Sequence, residues 1–285
     1  MIDLHTHTTA SDGRCTPADL VARASRAGVT VLAVTDHDTL GGCPAAAAAC
    51  AERGIEFVVG IEVTAVAQSR DVHVLGYFMD PASAVFEAFL TVQRERRIDR
   101  IRQMVTRLAA HGITLDADVV LRAALADTSK AAGRPWIARA LVEKGHVPNV
   151  AEAFNRWLAD GRPAFVPRFG ASPEEVIHRI HEAGGVVSLA HPGLLKNDDW
   201  IPGYAQAGLD ALEAYHSDHD SAATAHYLAL AHSLGLAVTG GSDYHADDAH
   251  GGGGPGKVSL PRADYDRLVA RAATRATASG PATSS

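Results

Sequence analysis

The sequence predicts an α/β fold: a seven-stranded βα barrel, regular or distorted, with a helical subdomain inserted after the fourth strand. Three observations lead there. Seven short apolar, β-branched runs are bounded by turn or polar residues, helical patterns lie between many of them, and one connection is too long for a loop. Strands that alternate with helices imply parallel βα units. A chain of 285 residues can bury a real core as one large domain or two modest ones.

The candidate strands are 1–4, 29–34, 57–63, 71–78, 185–189, 209–215 and 237–240. The first helix is read over 17–27. It opens on Thr16-Pro17-Ala18-Asp19, a capping-box spacing with proline at the first helical position. A second, alanine-rich helix covers 41–53. A third follows the same start signal at Ser172-Pro173-Glu174-Glu175, and a fourth covers 222–234. The stretch 81–170 reads as helices throughout, so the barrel comprises 1–80 and 171–272. The small, polar segment 273–285 is expected to be a disordered tail.

Composition narrows the function classes. The formal net charge is −7, so the surface as a whole should not attract polyanions. A nucleotide substrate would need a local basic patch or metal ions. Aromatics are only 6%, too few for a broad base-stacking platform, and a DNA duplex is not an expected partner. Cys15, Cys43 and Cys50 are odd in number and lack CxxC spacing, which argues against a disulfide framework and a thiolate zinc site. No signal peptide and no run of about 18 apolar residues is visible, so no membrane partner is expected and the default compartment is the cytoplasm.

Histidine is the unusual residue, at 15 positions. His111, His146, His178, His226 and His232 lie in helix-like or loop contexts and read as surface or packing residues. Seven of the others fall on or just past the candidate strands, with carboxylates. The first strand leads into His5-Thr6-His7, with Asp12 close behind; the second into Asp36-His37. The third and fourth hold Glu62 and His73, and the fifth leads into His191. The sixth leads into His216, and the seventh into Asp243-Tyr244-His245.

In a βα barrel the carboxyl ends of the strands converge on one face, where loops build the site. Side chains alternate along a strand, so the two imidazoles of HxH share a side, as do Asp243 and His245 if the strand continues through them. Taken singly, each motif has a plain explanation: SDG is usually a turn, and His73 could simply pack within a strand. Together, His5, His7, Asp12, His37, Glu62, His73, His191, Asp243 and His245 form a mixed nitrogen and oxygen set too large for one ion. With one bridging carboxylate the set suits two or three divalent ions. Its chemistry favours Mn, Fe or Zn over Ca or Mg.

These residues, in this order, resemble the PHP (polymerase and histidinol phosphatase) family. The matching motifs are HTHTTASDG, TDHD, GIEV, the histidine of DVHVLGY, AHPG and GSDYH. The resemblance implies a distorted seven-stranded barrel and three metal sites, with Mn the first choice of metal. His5, His7, Glu62 and Asp243 would hold one ion; Glu62, His73 and His191 a second; Asp12, His37 and His245 a third. Within the family, the compact length and helical insertion look like a subgroup of nucleoside 3',5'-bisphosphate phosphatases and 5'-to-3' exoribonucleases.

The insertion fits a substrate-binding cap. Arg94, Arg96, Arg97, Arg100, Arg102 and Arg107 cluster against only Glu95 and Asp99, and Lys130 precedes Gly133-Arg134-Pro135. A solvated basic helix face is the plain alternative. The resemblance favours Arg97, Arg100 and Arg134, with Lys130 beside them, as contacts for a second, non-reacting phosphate. The expected reaction is phosphomonoester hydrolysis by hydroxide held among the metals, with His216 as a candidate proton donor. The expected substrate is a small nucleotide with two phosphates, or short RNA. The rivals are histidinol phosphate hydrolysis, amidohydrolase chemistry on a similar metal-lined barrel, and a non-catalytic metal-binding module. No candidate carbamylated strand-end lysine supports the amidohydrolase.

Overall fold

The computed structural model describes residues 1–246 and 253–278. Seven strands form one sheet in sequence order: β1 (Ile2–Asp3), β2 (Val31–Val34), β3 (Glu56–Ala67), β4 (Arg70–Tyr77), β5 (Val186–Leu189), β6 (Ala211–His216) and β7 (Ala237–Gly241). The ends meet. Leu4 N–H donates to the Gly240 carbonyl at 3.2 Å, and Thr6 forms a parallel bridge with Tyr244, so the sheet curls into a nearly closed barrel.

Two helices flank the first strands: α1 (Pro17–Arg26) and α2 (Cys43–Ala51). Thr16 caps α1 as its spacing predicts, accepting from Asp19 N–H, and Leu20, Val21 and Ala24 turn inward. The segment after β4 holds α3 (Ala84–Ala110), α4 (Ala117–Ala126), α5 (Arg134–Glu143) and α6 (Val150–Ala153), the last continuing into a π-helical turn at Phe154–Leu158. The remaining helices are α7 (Pro173–Glu182), α8 (Pro192–Leu195), α9 (Ile201–Gln206), α10 (Ser221–Ser233) and α11 (Arg262–Ala278). The disordered tail expected from 273 is not found at 273–278, which belong to α11; the rest of that expectation, 279–285, lies outside the described residues.

The insertion has a core of its own. Ile101, Met104, Leu108, Leu121, Ile137, Leu141 and Leu158 pack together, apart from the cluster that fills the barrel around Leu4, Ile61, Leu75 and Val187.

One sequence expectation is corrected. Not all strands are parallel: β4 runs antiparallel to both β3 and β5. Only Gln68 and Ser69 join β3 to β4, both with positive φ (48° and 63°), and a two-residue turn can make only a hairpin. Extending β3 to Ala67 lifts Thr64 and Asp71 toward the inserted helices. His73 consequently sits mid-strand opposite Thr64 rather than at a carboxyl end.

A buried carboxylate ties the far side together. Asp210, at the entrance to β6, faces His181 Nε2 of α7 at 2.8 Å, the Val187 N–H at 3.0 Å, and Arg271 and Arg275 of α11 at 3.1 and 2.7 Å. Burial would raise its pKa, but the His181, Arg275 and Val187 contacts outweigh it and hold the carboxyl below its ordinary value. A group with a lowered native pKa stabilises the fold above its unfolded pKa, about 3.9, and loses that contribution as pH falls through the native value. Asp210→Asn should therefore cost roughly 1.5–3 kcal/mol at pH 7. Urea titrations should show the gap to the wild type closing below about pH 4. A gap unchanged at pH 3 would contradict the ion-pair origin.

Candidate metal centre

The residues of HTH and DYH are interlocked by one backbone contact. Thr6 pairs with Tyr244, with His7 N–H donating to the Tyr244 carbonyl at 2.9 Å. Their neighbours on either side, His5 and His7 on one segment and Asp243 and His245 on the other, therefore project to the same side. Small residues permit the close approach. A Cβ on Gly241 would lie 2.3 Å from His5 N, and one on Gly13 would lie 2.4 Å from the His7 carbonyl oxygen. A second parallel bridge, His37 to Glu62, sets those side chains beside each other.

The result is a single cluster. Glu62 Oε2 faces His37 Nδ1 at 3.0 Å, His7 Nε2 at 3.3 Å and His5 Nε2 at 3.4 Å. Its other oxygen, Oε1, faces His73 Nδ1 at 2.7 Å and His191 Nε2 at 3.1 Å. Asp243 Oδ1 lies 3.1 Å from His7 Nε2 and 3.3 Å from His5 Nε2. Asp12 lies 3.2 Å from His245 Nε2 and 3.6 Å from His37 Nε2. All nine expected ligands are brought together. Candidate ligand atoms of His7, Asp12, His37 and His245 lie within 4.8 Å of one another, as do those of His5, Glu62 and His191, and those of His37, Glu62 and His73.

The donor set fits cations better than it fits itself. His5 Nε2, His7 Nδ1 and Nε2, and His37 Nδ1 are buried and have no hydrogen-bond partner among the described residues, although carboxylate oxygens stand close by. Those oxygens are near but wrongly angled for hydrogen bonds, as expected where both groups converge on a third body. Buried polar atoms left this way are costly. The electrostatics agree. Burial would lower the His7 pKa, but Asp243 and Glu62 raise it to about 10. Burial would raise the Asp12 carboxyl, but His245 and His37 hold it well below its ordinary range.

Buried carboxylates outside the nine orient the cluster; sequence reading missed Glu213 and Asp3 and noted Asp36 only as part of the TDHD motif. Glu213, fully buried in β6, accepts from His5 Nδ1 at 3.0 Å and from the His191 N–H at 2.8 Å. The His5 proton is thereby placed on Nδ1, leaving Nε2 free to coordinate. Asp36 accepts from Thr8 N–H, Thr8 Oγ1 and Ser11 Oγ at 2.6–2.7 Å and so pins the loop that carries Asp12. Asp3 accepts from the Ser242 N–H and hydroxyl at 2.9 and 2.7 Å, joining the ends of β1 and β7. The available signal was a carboxylate inside an apolar strand, a position that demands a partner.

His216 lies within the cluster. It is 3% exposed, and both ring nitrogens are engaged: Nδ1 accepts from the Asp218 N–H at 3.1 Å, and Nε2 faces Asp243 Oδ2 at 3.3 Å. Candidate ligand atoms of His216, His5 and Asp243 lie within 4.8 Å of one another.

Across the cluster lies a pocket of about 110 Å³. Its lining includes Asp12, His37 and His73 together with Arg97, Arg134, Arg168 and Asp71. Arg97 is held by Asp38, by Thr64 Oγ1 at 2.9 Å and by the Ala132 carbonyl at 3.1 Å. Arg134 and Arg168 lie 3.9 and 3.4 Å from Asp71. Arg168 was not foreseen, because it sits on the irregular return from the insertion with no motif around it. Two expected contacts are absent from this pocket. Arg100 is buried behind it, donating to the Val166 carbonyl at 2.8 Å and packed over Phe165. Lys130 borders a different cleft. Of the other arginines in the run, Arg94 turns to Glu87 and Thr91, and Arg102 to Asp118.

Comparison with known proteins agrees with this geometry. The PHP domain model matches residues 3–165. The chain belongs to the PHP domain family. It is 38% identical over 251 residues to a 3',5'-nucleoside bisphosphate phosphatase of Chromobacterium violaceum, covering 86% of this chain and 87% of that protein. It is 35% identical over 250 residues to the 5'-3' exoribonuclease Rnm of Salmonella typhimurium, covering 85% and 84%. Its fold superposes on a Bifidobacterium adolescentis protein assigned as a metal-dependent phosphoesterase, with a TM-score of 0.86, 32% identity, and 94% and 95% of the two chains covered. This PHP chain is a metal-dependent phosphoesterase, and divalent ions belong to its chemistry. Among its described residues, no helix is long and apolar enough to cross a membrane.

Glu213 supplies a direct check on the metal centre. Glu213→Gln should keep the fold yet weaken divalent-ion binding about 10- to 100-fold, because the carboxylate behind a coordinating histidine sets its orientation and basicity. Calorimetric titration of metal-stripped protein reads this out. Unchanged affinity would show that Glu213 is structural only.

Proposed function

We propose that this phosphoesterase removes the 3'-phosphate from nucleoside 3',5'-bisphosphates. One observation carries the reading: expected metal ligands and three arginines line the same small pocket. A substrate with one phosphate at the metal cluster and a second a few ångströms away uses both groups. The similarity to a bisphosphate phosphatase supports the same assignment.

The three ligand sets are those implied by the resemblance: His5, His7, Glu62 and Asp243; Glu62, His73 and His191; and Asp12, His37 and His245. Mixed imidazole and carboxylate donors favour Mn, with Fe or Zn as alternatives. Bound there, two or three such ions would activate water at neutral pH and neutralise charge on the reacting phosphoryl oxygens. The chain's own residues do the rest. His216 faces Asp243 through Nε2 and helps to fix that carboxylate. Arg134 and Arg168 hold the second phosphate, where planar guanidinium groups can bind two oxygens at once. Arg97, fixed by Asp38 and Thr64, sets the wall between them. Residues 81–170 thus act as a substrate-binding cap on a barrel of 1–80 and 171–272. Binding energy drawn from the remote phosphate orients the reacting one.

Histidinol phosphate, with one phosphate, leaves the arginine wall without a partner. The same pocket would accept the 5' end of a short RNA, a substrate class supported by the similarity to an exoribonuclease.

Two measurements follow. Glu62→Ala should reduce the metal content of loaded protein by at least one ion per chain and abolish turnover, because one carboxylate serves two ligand sets; full metal content by elemental analysis would refute the bridge. Arg134→Ala and Arg168→Ala should each lower kcat/KM for a nucleoside 3',5'-bisphosphate by about 10- to 150-fold, the loss of roughly 1.5–3 kcal/mol from a charged hydrogen bond. Hydrolysis of p-nitrophenyl phosphate should change little. Equal loss on both substrates would place these arginines on the reacting phosphate, and no loss on either would remove them from the site.

A further inference from the structure

His219, in the turn after β6, has no place in the ligand sets or the arginine pocket, yet it is half-buried one layer behind them. Its ring lies 5.4 Å from that of His216 and 5.0 Å from that of Tyr227, centroid to centroid. Both of its nitrogens are spent on backbone. Nδ1 donates to the Ala214 carbonyl at 2.9 Å, and Nε2 accepts from the Gly193 N–H at 3.2 Å. A carbonyl can only accept and an amide N–H can only donate, so these partners fix one neutral tautomer. Burial acts in the same direction, holding the His219 pKa below its ordinary value.

Gly193 lies two residues past the expected ligand His191, and the turn between them is strained. His191 has φ of 25° and ψ of 61°, outside the regions a non-glycine residue ordinarily adopts. Pro192 has no N–H to give. The turn is therefore fastened by the N–H groups on either side of the proline: that of His191 goes to Glu213 at 2.8 Å, and that of Gly193 to His219. Glycine is needed for the second contact, because a Cβ on Gly193 would lie 2.8 Å from His219 Nε2. Farther along the segment the side-chain anchors are Arg70, which donates to the Leu195 carbonyl at 2.5 Å, and Tyr227, whose hydroxyl donates to Asp198 Oδ1 at 3.2 Å.

We propose that His219 is a positioning residue for the metal centre: its bond to the Gly193 N–H holds the strained turn that aims His191 Nε2 at Glu62. It acts through the backbone of 191–193 and not by coordination. This rests on the assignment of Glu62, His73 and His191 as one ligand set made above. Glu213 and His219 divide the work. The carboxylate anchors the ring of His5 and the near side of the turn, and the imidazole anchors the far side. A neutral imidazole supplies the acceptor needed there without burying another negative charge behind the cluster.

Two substitutions separate the two ring nitrogens. His219→Asn keeps an amide N–H near the place of Nδ1 and loses the acceptor for Gly193. His219→Gln can put an amide oxygen near the place of Nε2 and keep that acceptor. Calorimetric titration of metal-stripped protein with manganese(II) should show His219→Asn weakening one ion roughly 10-fold, with His219→Gln within about threefold of wild type. Gly193→Ala intrudes on the same contact from the other side and should reproduce the loss. In a His191→Ala background, which lacks the ligand being aimed, neither His219→Asn nor Gly193→Ala should cause further loss. A His219→Asn protein that fails to fold leaves Gly193→Ala, with and without His191→Ala, to decide the matter. Wild-type affinity in both His219→Asn and Gly193→Ala, equal losses in His219→Asn and His219→Gln, or an undiminished loss in the His191→Ala background would mark the contact as structural only and overturn the proposal. A His191→Ala protein that binds manganese as wild type does would overturn the ligand set itself, and the proposal with it.

Discussion

Glu62 presents its two carboxylate oxygens to different sets of imidazoles: His5, His7 and His37 at one, His73 and His191 at the other. A carboxylate 1% exposed among five imidazoles is costly unless positive charge is shared with it. The histidines cannot all supply that charge, because burial pushes the His37 pKa well below its ordinary value while His7 is raised. Cations bound among these residues would resolve the conflict. Much of the barrel's construction follows from holding this one side chain in place.

The fold accepts local strain to do so. Asp38, His191 and Asp243 all have positive φ, between 25° and 51°, and all three lie at or beside the cluster. Backbone in this region is unfavourable for non-glycine residues and persists where surrounding contacts over-determine it. Here those contacts are visible. Asp38 accepts from the Thr64 N–H and from Arg97, His191 is held through its own N–H by Glu213, and Asp243 follows Ser242, which is doubly bound to Asp3. Asp38 and Thr64 also connect the centre to the inserted helices through Arg97, so the arginine wall is positioned by the same network that shapes the cluster.

The legible part of this site was the part written in strand periodicity. HTH and DYH each place two ligands two residues apart, and the two-residue alternation of a strand makes their convergence readable. The seven strands were legible as short apolar, β-branched runs bounded by turn residues. The direction of β4 was not, because direction depends on the length of the Gln68–Ser69 turn rather than on the apolar pattern that marks a strand. Glu213 and Asp3 were hidden inside apolar runs, where one acidic residue does not disturb the pattern. Arg168 lacked any motif. Arg100 was grouped with Arg97 and Arg134 by the family resemblance and Lys130 by its place beside Arg134 in the sequence, but α3 and the segment before α5 turn them to other surfaces. Charge density along the chain is a weak guide to which side chains share a pocket in three dimensions.

Anomalous diffraction from crystals of the Mn-loaded protein tests the bridge directly. The arrangement of imidazoles about Glu62 predicts strong peaks against both of its oxygens, one beside His5 and His7 and another beside His73 and His191. A single peak on one oxygen, or ions bound away from Glu62, would contradict a centre built around that carboxylate.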